Sequence, residues 1–402
     1  MIPPSNHEKR LSFMEKRPGV YVMLFLFLIL SAPAMAMHTA KSFGMAGAVV
    51  ATVDDLSAPY YNPAGIARIK GTSVGIALGL GEGSWKNHPY ATNSNQPFYE
   101  ANMLEGAGYA MPVGPGVLLV GSGKDGFAYN YTGGVNEVFI NSQQYVSGVY
   151  YALDMSSNIS VGAGIHYLVR ETSLNAPTED SLVKEKGEGF GGSFGAIFSA
   201  SKALDVGLSL TIPGDLVLSG GGEYALILPF PLVGRTKNPT TARLGVAYRP
   251  IPRLTVSVQA DMVGGFSFEE YREIFDPIAN KDKSARSTLE ADTVVVPSVG
   301  IEYLVPFAGG SIPIWAGAAV SPHNDLRVSA TAQEAETMNA LNFYYYSVPC
   351  VTTLALGTGY QTEGFEFGIS AQVKSGITKT GLTEDEIDIN ETKVVASGSF
   401  RI

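Results

Sequence analysis

Hydrophobic residues alternate with small or polar residues, with a period of two, along much of this chain. In 74–80, valine, isoleucine and leucine alternate with glycine and alanine. In 365–373, phenylalanine, isoleucine, alanine and valine alternate with glutamate, glycine, serine and glutamine. Successive side chains of a β-strand point to opposite faces, so each such segment has one apolar face and one small or polar face. The pattern predicts fourteen strands, at 72–80, 102–111, 116–130, 143–154, 158–171, 188–200, 203–212, 239–250, 253–265, 292–305, 310–320, 347–361, 364–375 and 391–402.

The connections between these segments alternate regularly between long and short. The short ones are 112–115, 155–157, 201–202, 251–252, 306–309 and 362–363, and each long one has twelve or more residues. Bacterial outer-membrane barrels have short periplasmic turns, long outer loops and an even number of strands. The sequence therefore predicts an all-β fold, a 14-stranded antiparallel transmembrane β-barrel with both ends in the periplasm.

The N-terminus has the layout of a secretory signal peptide. Four basic residues precede the short apolar run 20–30, and a small-x-small site follows at 34–36. We predict a signal peptide over 1–36, cleavage near Ala36 and localisation in the outer membrane of a Gram-negative-type cell, with a retained N-terminal anchor as the alternative. The predicted domains are the signal peptide 1–36, an N-terminal segment 37–71 and a barrel 72–402.

Composition excludes several classes of protein and ligand. Removal of 1–36 leaves 23 Lys+Arg against 35 Asp+Glu, so the basic surface of a nucleic-acid-binding protein is absent. The only cysteine, Cys350, cannot form an intramolecular disulfide or a thiolate cluster. The histidines are dispersed, and the sequence predicts no metal, no cofactor and no enzyme activity. A hydrolase stays an alternative, because catalytic triads are assembled by geometry and not by sequence order.

The segment 44–65, GMAGAVVATVDDLSAPYYNPAG, combines a run of small residues, an acidic pair and an Asn-Pro-Ala-Gly sequence. It resembles the N-terminal hatch, or plug, of the FadL family of outer-membrane transporters for long-chain fatty acids and other hydrophobic compounds. Ala46 stands where that family usually has glycine. The resemblance implies a hatch at 37–71 inside a fourteen-stranded barrel. The residues to which it assigns hatch and gating roles are Gly44, Gly47, Asp54, Asp55, Asn62, Pro63, Ala64 and Gly65.

The resemblance also implies a function, namely passive uptake of hydrophobic small molecules by a hatch-gated route with a lateral exit. The partners expected are a hydrophobic small-molecule ligand and outer-membrane lipid. The alternative is a barrel without transport that binds a protein partner as an adaptor in secretion. We expect Asp54 and Asp55 to pair with inward arginines such as Arg243 or Arg249. A flexible periplasmic tail is the alternative interpretation of 37–70.

The third predicted strand contains Gly121, Gly123 and Gly126 in the spacing G-x-G-x-x-G. A dinucleotide site would require a helix to begin at these glycines, but a strand pattern continues through 127–131. Glycines within a strand more often mark a bulge or a kink. Because the FadL family has a kinked third strand that opens the wall sideways, we predict a lateral opening here. An ordinary glycine-rich strand is the alternative.

The predicted outer loop 213–238 is unusually apolar. Exposed apolar patches usually mark binding sites or interfaces, so we predict ligand capture, with packing between loops or binding of a protein partner as alternatives. The capture residues are Tyr224, Leu226, Ile227, Leu228, Phe230 and Leu232.

Overall fold

The structure of the protein is a computed structural model. It describes residues 38–86, 95–100, 104–133, 136–176, 181–224, 227–265, 267–276, 281–322, 326–330, 350–379 and 386–402. The predicted signal peptide lies outside the described residues, and its cleavage stays a prediction.

Within these described ranges, twenty strands form a single antiparallel sheet that closes on itself. The last strand pairs with the first over the whole length of the first, from Ser73 opposite Arg401 to Lys86 opposite Asp388. The strands are β1 (Ser73–Lys86), β2 (Asn95–Glu100), β3 (Gly106–Val113), β4 (Gly116–Gly133), β5 (Asn136–Ser156), β6 (Ile159–Ala176), β7 (Ser181–Ser201), β8 (Leu204–Ile212), β9 (Leu216–Tyr224), β10 (Ile227–Lys237), β11 (Thr241–Ile251), β12 (Leu254–Val263), β13 (Ser267–Asp276), β14 (Lys281–Ala291), β15 (Val294–Phe307), β16 (Gly310–Ser321), β17 (Leu326–Ala330), β18 (Cys350–Gln361), β19 (Phe365–Lys379) and β20 (Glu386–Arg401).

These strands make fourteen spans around a closed barrel. Six spans consist of two strands in succession, namely β2 with β3, β8 with β9, β10 with β11, β12 with β13, β14 with β15, and β16 with β17. All fourteen predicted segments coincide with spans, in the predicted order, so the predicted fold is confirmed.

The predicted long loops are wrong in one respect, because much of their length is strand. The segment 213–238 contains β9 and β10, which pair with each other, and 266–291 contains β13 and β14. The hairpins continue past the apolar band because each added pair of residues satisfies backbone donors and acceptors in the antiparallel ladder. Strand pairing continues beyond the point where the period-two apolar pattern ends, so the pattern does not mark the end of the strand.

The outer face of the barrel is apolar and the inner face is small or polar. On β1, Val74, Ile76 and Leu78 are 41–49% exposed, whereas Ala77 between them is 5% exposed and faces the interior. Serine, glutamine and arginine occupy many inward positions. A band of exposed apolar side chains around a closed sheet is the surface that a lipid bilayer covers.

The second span contains a bulge relative to β1. Glu100 of β2 lies opposite Gly81, and Gly106 of β3 lies opposite Ala77. The register of the second span against β1 thus shifts by two residues between Glu100 and Gly106. The same shift is present on the other side, in the pairing of β2 and β3 with β4. Extra residues in one strand locally disrupt the ladder and bend the strand.

The hatch consists of two short α-helices and a 3-10 helix inside the barrel. They are α1 (Ala40–Gly44), α2 (Ala58–Tyr61) and the 3-10 helix Pro63–Arg68. A buried apolar cluster joins Met45 and Ile66 of the hatch to Leu119, Tyr150 and Trp315 of the wall. The hatch is thus part of the protein core. Among the described residues, none of the helices is long and apolar enough to cross a membrane.

Candidate functional site: the hatch and its seat in the barrel

Hydrogen bonds connect the first turn of the hatch to Asp55 of the acidic pair. Thr39 caps α1, and its side chain accepts a hydrogen bond from the backbone N of Ser42. The hydroxyl of Thr39 also donates to the carboxylate of Asp55 (2.6 Å), and Asp55 accepts from the backbone N (2.8 Å) and the hydroxyl (2.5 Å) of Ser57. Asp55 thereby joins the start of α1 to the start of α2. Burial and the neighbouring charge of Asp54 raise the pKa of Asp55.

The expected pairing of the acidic residues with Arg243 and Arg249 is wrong. Asp54 pairs with Lys41 within the hatch (2.9 Å), and Lys41 also lies 3.7 Å from Glu302 on β15. Burial opposes the charge of Lys41, but the carboxylates of Asp54 and Glu302 outweigh it and raise the pKa of Lys41 above its ordinary value. Desolvation raises the pKa of Asp54, but the positive charge of Lys41 and its hydrogen bond lower that pKa. The net effect is a pKa of Asp54 below its ordinary value.

Both arginines have other partners. The guanidinium of Arg243 donates to the carbonyl of Tyr60 (3.1 Å) and pairs with Asp261 (3.3 Å). It also lies over the ring of Tyr60, 4.7 Å from the centroid. Arg249 pairs with Asp205, which also accepts from Arg68 of the hatch. Arg243 of the wall therefore contacts the hatch at a backbone carbonyl, and Asp205 of the wall contacts it through Arg68 of the hatch.

The small residues of the motif permit close contact with the wall. A Cβ added at Gly44 would lie 2.7 Å from the hydroxyl of Ser370 and 2.9 Å from the Cβ of Trp315. Gly47 has φ +82°, a conformation that glycine adopts without strain. Ala46 adopts φ 50°, which is uncommon for a residue with a Cβ. A Cβ at Gly65 would lie 2.3 Å from the carbonyl of Val53, within the hatch itself.

Asn62 is the central connector of the hatch. Its side chain is fully buried, donates to the carbonyls of Val50 (2.8 Å) and Ala196 (3.1 Å), and accepts from the backbone N of Ala64 (3.1 Å). Asn62 thus caps the 3-10 helix and joins two parts of the hatch to β7 of the wall. Pro63 occupies the first position of that helix, where its missing N–H costs nothing.

Two glycines of the wall leave room for the turn at Asn62 and Pro63. A Cβ at Gly195 on β7 would lie 1.9 Å from the side-chain oxygen of Asn62, and a Cβ at Gly162 on β6 would lie 2.4 Å from the carbonyl of Pro63. The seat of the hatch, meaning the wall surface that contacts it, therefore has room for this turn because these two inward positions carry no side chains.

Polar side chains of the wall satisfy backbone groups of the hatch. Gln259 accepts from the backbone N of Val50 (2.8 Å), and Ser209 donates to the carbonyl of Tyr61 (2.7 Å). On the opposite side, Ser370 and Gln372 donate to the carbonyls of Ala40 (2.6 Å) and Phe43 (2.7 Å). Because buried backbone groups require partners, these contacts fix the hatch from several sides.

His38 packs in an aromatic group at the start of the hatch. Its Nδ1 lies 3.0 Å from the hydroxyl of Tyr61, and its ring meets that of Tyr60 edge to face at 5.2 Å. Burial, followed by the positive charges of Lys393, Lys374 and Arg243 of the wall, lowers the pKa of His38 to about 3. The imidazole is therefore neutral while the hatch is docked.

The glycine motif of the third span lies on a regular ladder. Gly121, Gly123 and Gly126 on β4 pair with β5 without a register shift from Gly116 to Gly133. The bulge of this part of the wall is in the adjoining second span. A role of the three glycines in a lateral opening stays a prediction.

The predicted capture residues lie on the β9–β10 hairpin. Tyr224 pairs with Ile227, and Phe230 pairs with Gly222, while Leu228 and Leu232 belong to β10. Leu226 and the side chains of the other five lie outside the described residues, so capture also stays a prediction.

Sequence reasoning missed several residues that hold the hatch. Lys41, Glu302 and Trp315 form one connected group, since the indole N–H of Trp315 donates to Glu302 (3.0 Å). Each is a single inward residue on a separate element, and no local pattern marks it. No group of three or more His, Cys, Asp or Glu is placed to hold a metal ion in the part of the chain that the structure describes.

No protein-family model matches the sequence, and no curated protein matches it. Solved structures do match. The Ralstonia pickettii toluene transporter TbuX has a TM-score of 0.63 at 13% identity, over 92% of this chain and 99% of that chain. A Pseudomonas aeruginosa FadL homologue has a TM-score of 0.63 at 12% identity, over 91% and 99%. This chain has the fold of the FadL-type barrels. The P. putida toluene transporter TodX agrees, with a TM-score of 0.57 at 12% identity, over 91% and 98%. The fold implied by the hatch motif is thereby confirmed.

Proposed function

We propose that this FadL-like barrel takes up hydrophobic small molecules passively across the bacterial outer membrane. Two kinds of observation support this proposal. The barrel has an apolar outer band, and its lumen holds a hatch. The solved structures of the same fold include proteins described as toluene transporters.

The hatch docked on the inner wall is the observation that carries the proposal. Hydrogen bonds between hatch and wall and a buried apolar cluster connect it to opposite sides of the barrel. A barrel whose lumen is occupied in this way is not an open channel for water-soluble solutes. An apolar molecule, however, can follow apolar surfaces between the hatch and the wall and leave into lipid.

The route that we propose has three steps. Ligand is captured on the outer hairpin at 224–232, passes the hatch, and leaves sideways through the wall near the glycine motif at 121–126. Small rearrangements of Asn62, Pro63 and their neighbours gate the second step. The chain offers no visible energy source, so the flux runs down a concentration gradient. The substrate class spans aromatic hydrocarbons and long-chain fatty acids, and the role is transport and not catalysis.

Whole-cell uptake tests this function, because hydrophobic molecules cross phospholipid freely and the lipopolysaccharide leaflet is the barrier. The protein is expressed in a bacterial host that lacks its own hydrophobic-compound channel. Initial uptake of labelled toluene and labelled oleate is compared with that of the empty-vector strain. Uptake above the vector control supports transport. Uptake equal to the vector control, with a folded barrel and a co-purifying protein partner, would favour the adaptor alternative.

Mass spectrometry of organic extracts provides a second readout. A specific lipophile bound to the purified barrel, and lost when 224–233 is deleted, would support both capture and transport. The same extract identifies the substrate class.

A further inference from the structure

Four consecutive spans of the wall are interrupted at the same level. The interruptions are 213–215 between β8 and β9, 238–240 between β10 and β11, 264–265 between β12 and β13, and 292–293 between β14 and β15. They lie side by side, since the backbone N of Gly264 donates to the carbonyl of Thr240 (2.8 Å) and the backbone N of Gly265 donates to the hydroxyl of Thr293 (3.2 Å). We call these four segments the break line, and the four strands beyond it, β9, β10, β13 and β14, the outer panel.

Strand register is the same on both sides of the break line from β11 to β15. On the barrel side Thr241 of β11 lies opposite Val263 of β12, and on the panel side Lys237 of β10 lies opposite Ser267 of β13. Both strands pass the same number of residues between these two pairs. The neighbouring seam is likewise in register, because Val263 lies opposite Val294 and Ser267 lies opposite Glu290. A bulge would add a residue to one strand, so the break line is an interruption of the ladder across these strands and not a row of bulges.

The residue types along the break line disfavour a continuous ladder. The line contains the sequences Pro213-Gly214, Asn238-Pro239 and Gly264-Gly265. Proline has no N–H to donate to the neighbouring strand, and glycine weakens a strand and adopts a wide range of backbone angles. Because the interruptions are aligned, the strands can bend together about one axis. A staggered set of interruptions would be held straight, since each one would lie beside an intact neighbouring strand.

The outer panel borders the part of the lumen beyond the hatch. Arg243, three positions from Thr240 on the barrel side of the break line, donates to the carbonyl of Tyr60 in the hatch. β7, in contrast, is continuous from Ser181 to Ser201 and pairs with β8 on the barrel side and with β9 on the panel side. The panel is therefore anchored at β9, and any displacement of it is smallest there and grows toward β14.

A buried side chain connects the break line to the continuous wall. Asn238 is 5% exposed, donates to the carbonyl of Gly214 (2.9 Å) and accepts from the guanidinium of Arg170 (3.4 Å). Arg170 also donates to Gln144 (3.1 Å). Arg170 and Gln144 belong to β6 and β5, which are both uninterrupted strands. Asn238 thus joins two segments of the break line to a part of the wall that does not bend.

We propose that the outer panel is a lid that turns about the break line, and that Asn238 is the latch that holds the lid in its present position. Turning of the lid changes the width of the outer mouth of the lumen. A ligand that enters from outside passes the lid before it meets the hatch. The role of the lid in entry rests on the proposed transport function, whereas the motion itself does not depend on it.

Distances between pairs of spin labels test the motion in the full-length protein in lipid vesicles. In a Cys350→Ser background, labels at Ser284→Cys on β14 and Ser375→Cys on β19 measure the far side of the panel against the wall. Labels at Ser219→Cys on β9 and Ser375→Cys measure the anchored side. The matched control is Ser147→Cys with Ser375→Cys, because β5 and β19 are both uninterrupted. Ser284 lies eight positions beyond Asp292, roughly 26 Å along the strand, so a small turn displaces it measurably.

We expect the β14–β19 distance to have the broadest distribution, the β9–β19 distance an intermediate one and the β5–β19 distance the narrowest. Equal widths for the three pairs overturn the lid. A broader distribution at β9 than at β14 overturns the axis that we propose.

Variants of the break line separate bending about this axis from general flexibility. Pro239→Val supplies an N–H, and because the register is retained the ladder can continue through the line, so the β14–β19 distribution should become narrower. The matched control, Pro297→Val within the paired part of β15, should leave it unchanged. Asn238→Ala and Thr293→Val each remove a hydrogen bond between segments of the line and should broaden it. An unchanged width in Pro239→Val contradicts the axis, and an unchanged width in Asn238→Ala contradicts the latch.

Uptake by cells tests the role of the lid, with toluene as the probe. Pro239→Val should lower the initial rate of toluene uptake relative to Pro297→Val. Equal rates, together with a narrowed β14–β19 distribution, would show that entry does not require the lid to turn and would overturn its role. If the Cys350→Ser parent does not exceed the empty vector, the transport function fails, whereas the label distances still decide whether the panel turns.

Discussion

Replacement of Asn62 by alanine gives a direct test of hatch docking. The side chain makes three buried hydrogen bonds, two donated to the carbonyls of Val50 and Ala196 and one accepted from the backbone N of Ala64. At about 1 kcal/mol net for each bond, Asn62→Ala should weaken docking by about 3 kcal/mol. Since 1.4 kcal/mol is a factor of ten, the undocked population should increase roughly a hundredfold.

Hydrogen exchange of the backbone amides between 40 and 68 measures that population directly. We expect faster exchange in Asn62→Ala throughout the hatch, with exchange in the barrel strands unchanged. In planar bilayers the variant should show more frequent ion-conducting openings. Asn62→Asp keeps the acceptor for Ala64 but directs a carboxylate at two carbonyls, so its effect should be at least as large.

The matched control is Asn158→Ala, at an exposed position in the turn between β5 and β6. It should leave exchange and conductance at wild-type values. If hatch exchange and conductance in Asn62→Ala also match the wild type, Asn62 does not hold the hatch and the reasoning is refuted.

Three other predictions concern the seat, pH and capture. Gly195→Ala should destabilise docking by about 1–3 kcal/mol through overcrowding, whereas Gly192→Ala, whose Cβ would meet nothing nearer than 3.4 Å, should not; thermal unfolding and hatch exchange measure both. His38 stays neutral when docked, because its pKa is lowered to about 3, but takes up a proton below its ordinary pKa of about 6.5 when undocked. Docking should therefore weaken by about 1 kcal/mol at pH 5.5 relative to pH 7.5, and a His38→Gln variant with an unchanged pH response would contradict this. Deletion of 224–233 should lower toluene uptake at low external concentration more than at saturation, and an equal loss at both would argue against capture.

The sequence determined the barrel because every transmembrane strand lies between the same two environments. Lipid on one side and a polar lumen on the other impose alternation with a period of two, and the short turns mark one side of the membrane. For this reason β1 and β19 could be recognised from local pattern alone. The hatch motif was likewise recognisable, because its glycines and the Asn-Pro-Ala sequence are contiguous.

The contacts that seat the hatch depended on tertiary structure. Lys41 and not Arg243 neutralises Asp54, because the fold brings residues 13 positions apart in the hatch together while Arg243 points at Tyr60. Likewise, the register shift beside Glu105 exists only as a mismatch between the registers of three neighbouring spans. The alternation specifies which face of the sheet a residue occupies, but not which residue it contacts across the lumen. The number of spans and the position of the hatch are therefore readable from local sequence, whereas the contacts and ion pairs that hold the hatch arise from closure of the sheet.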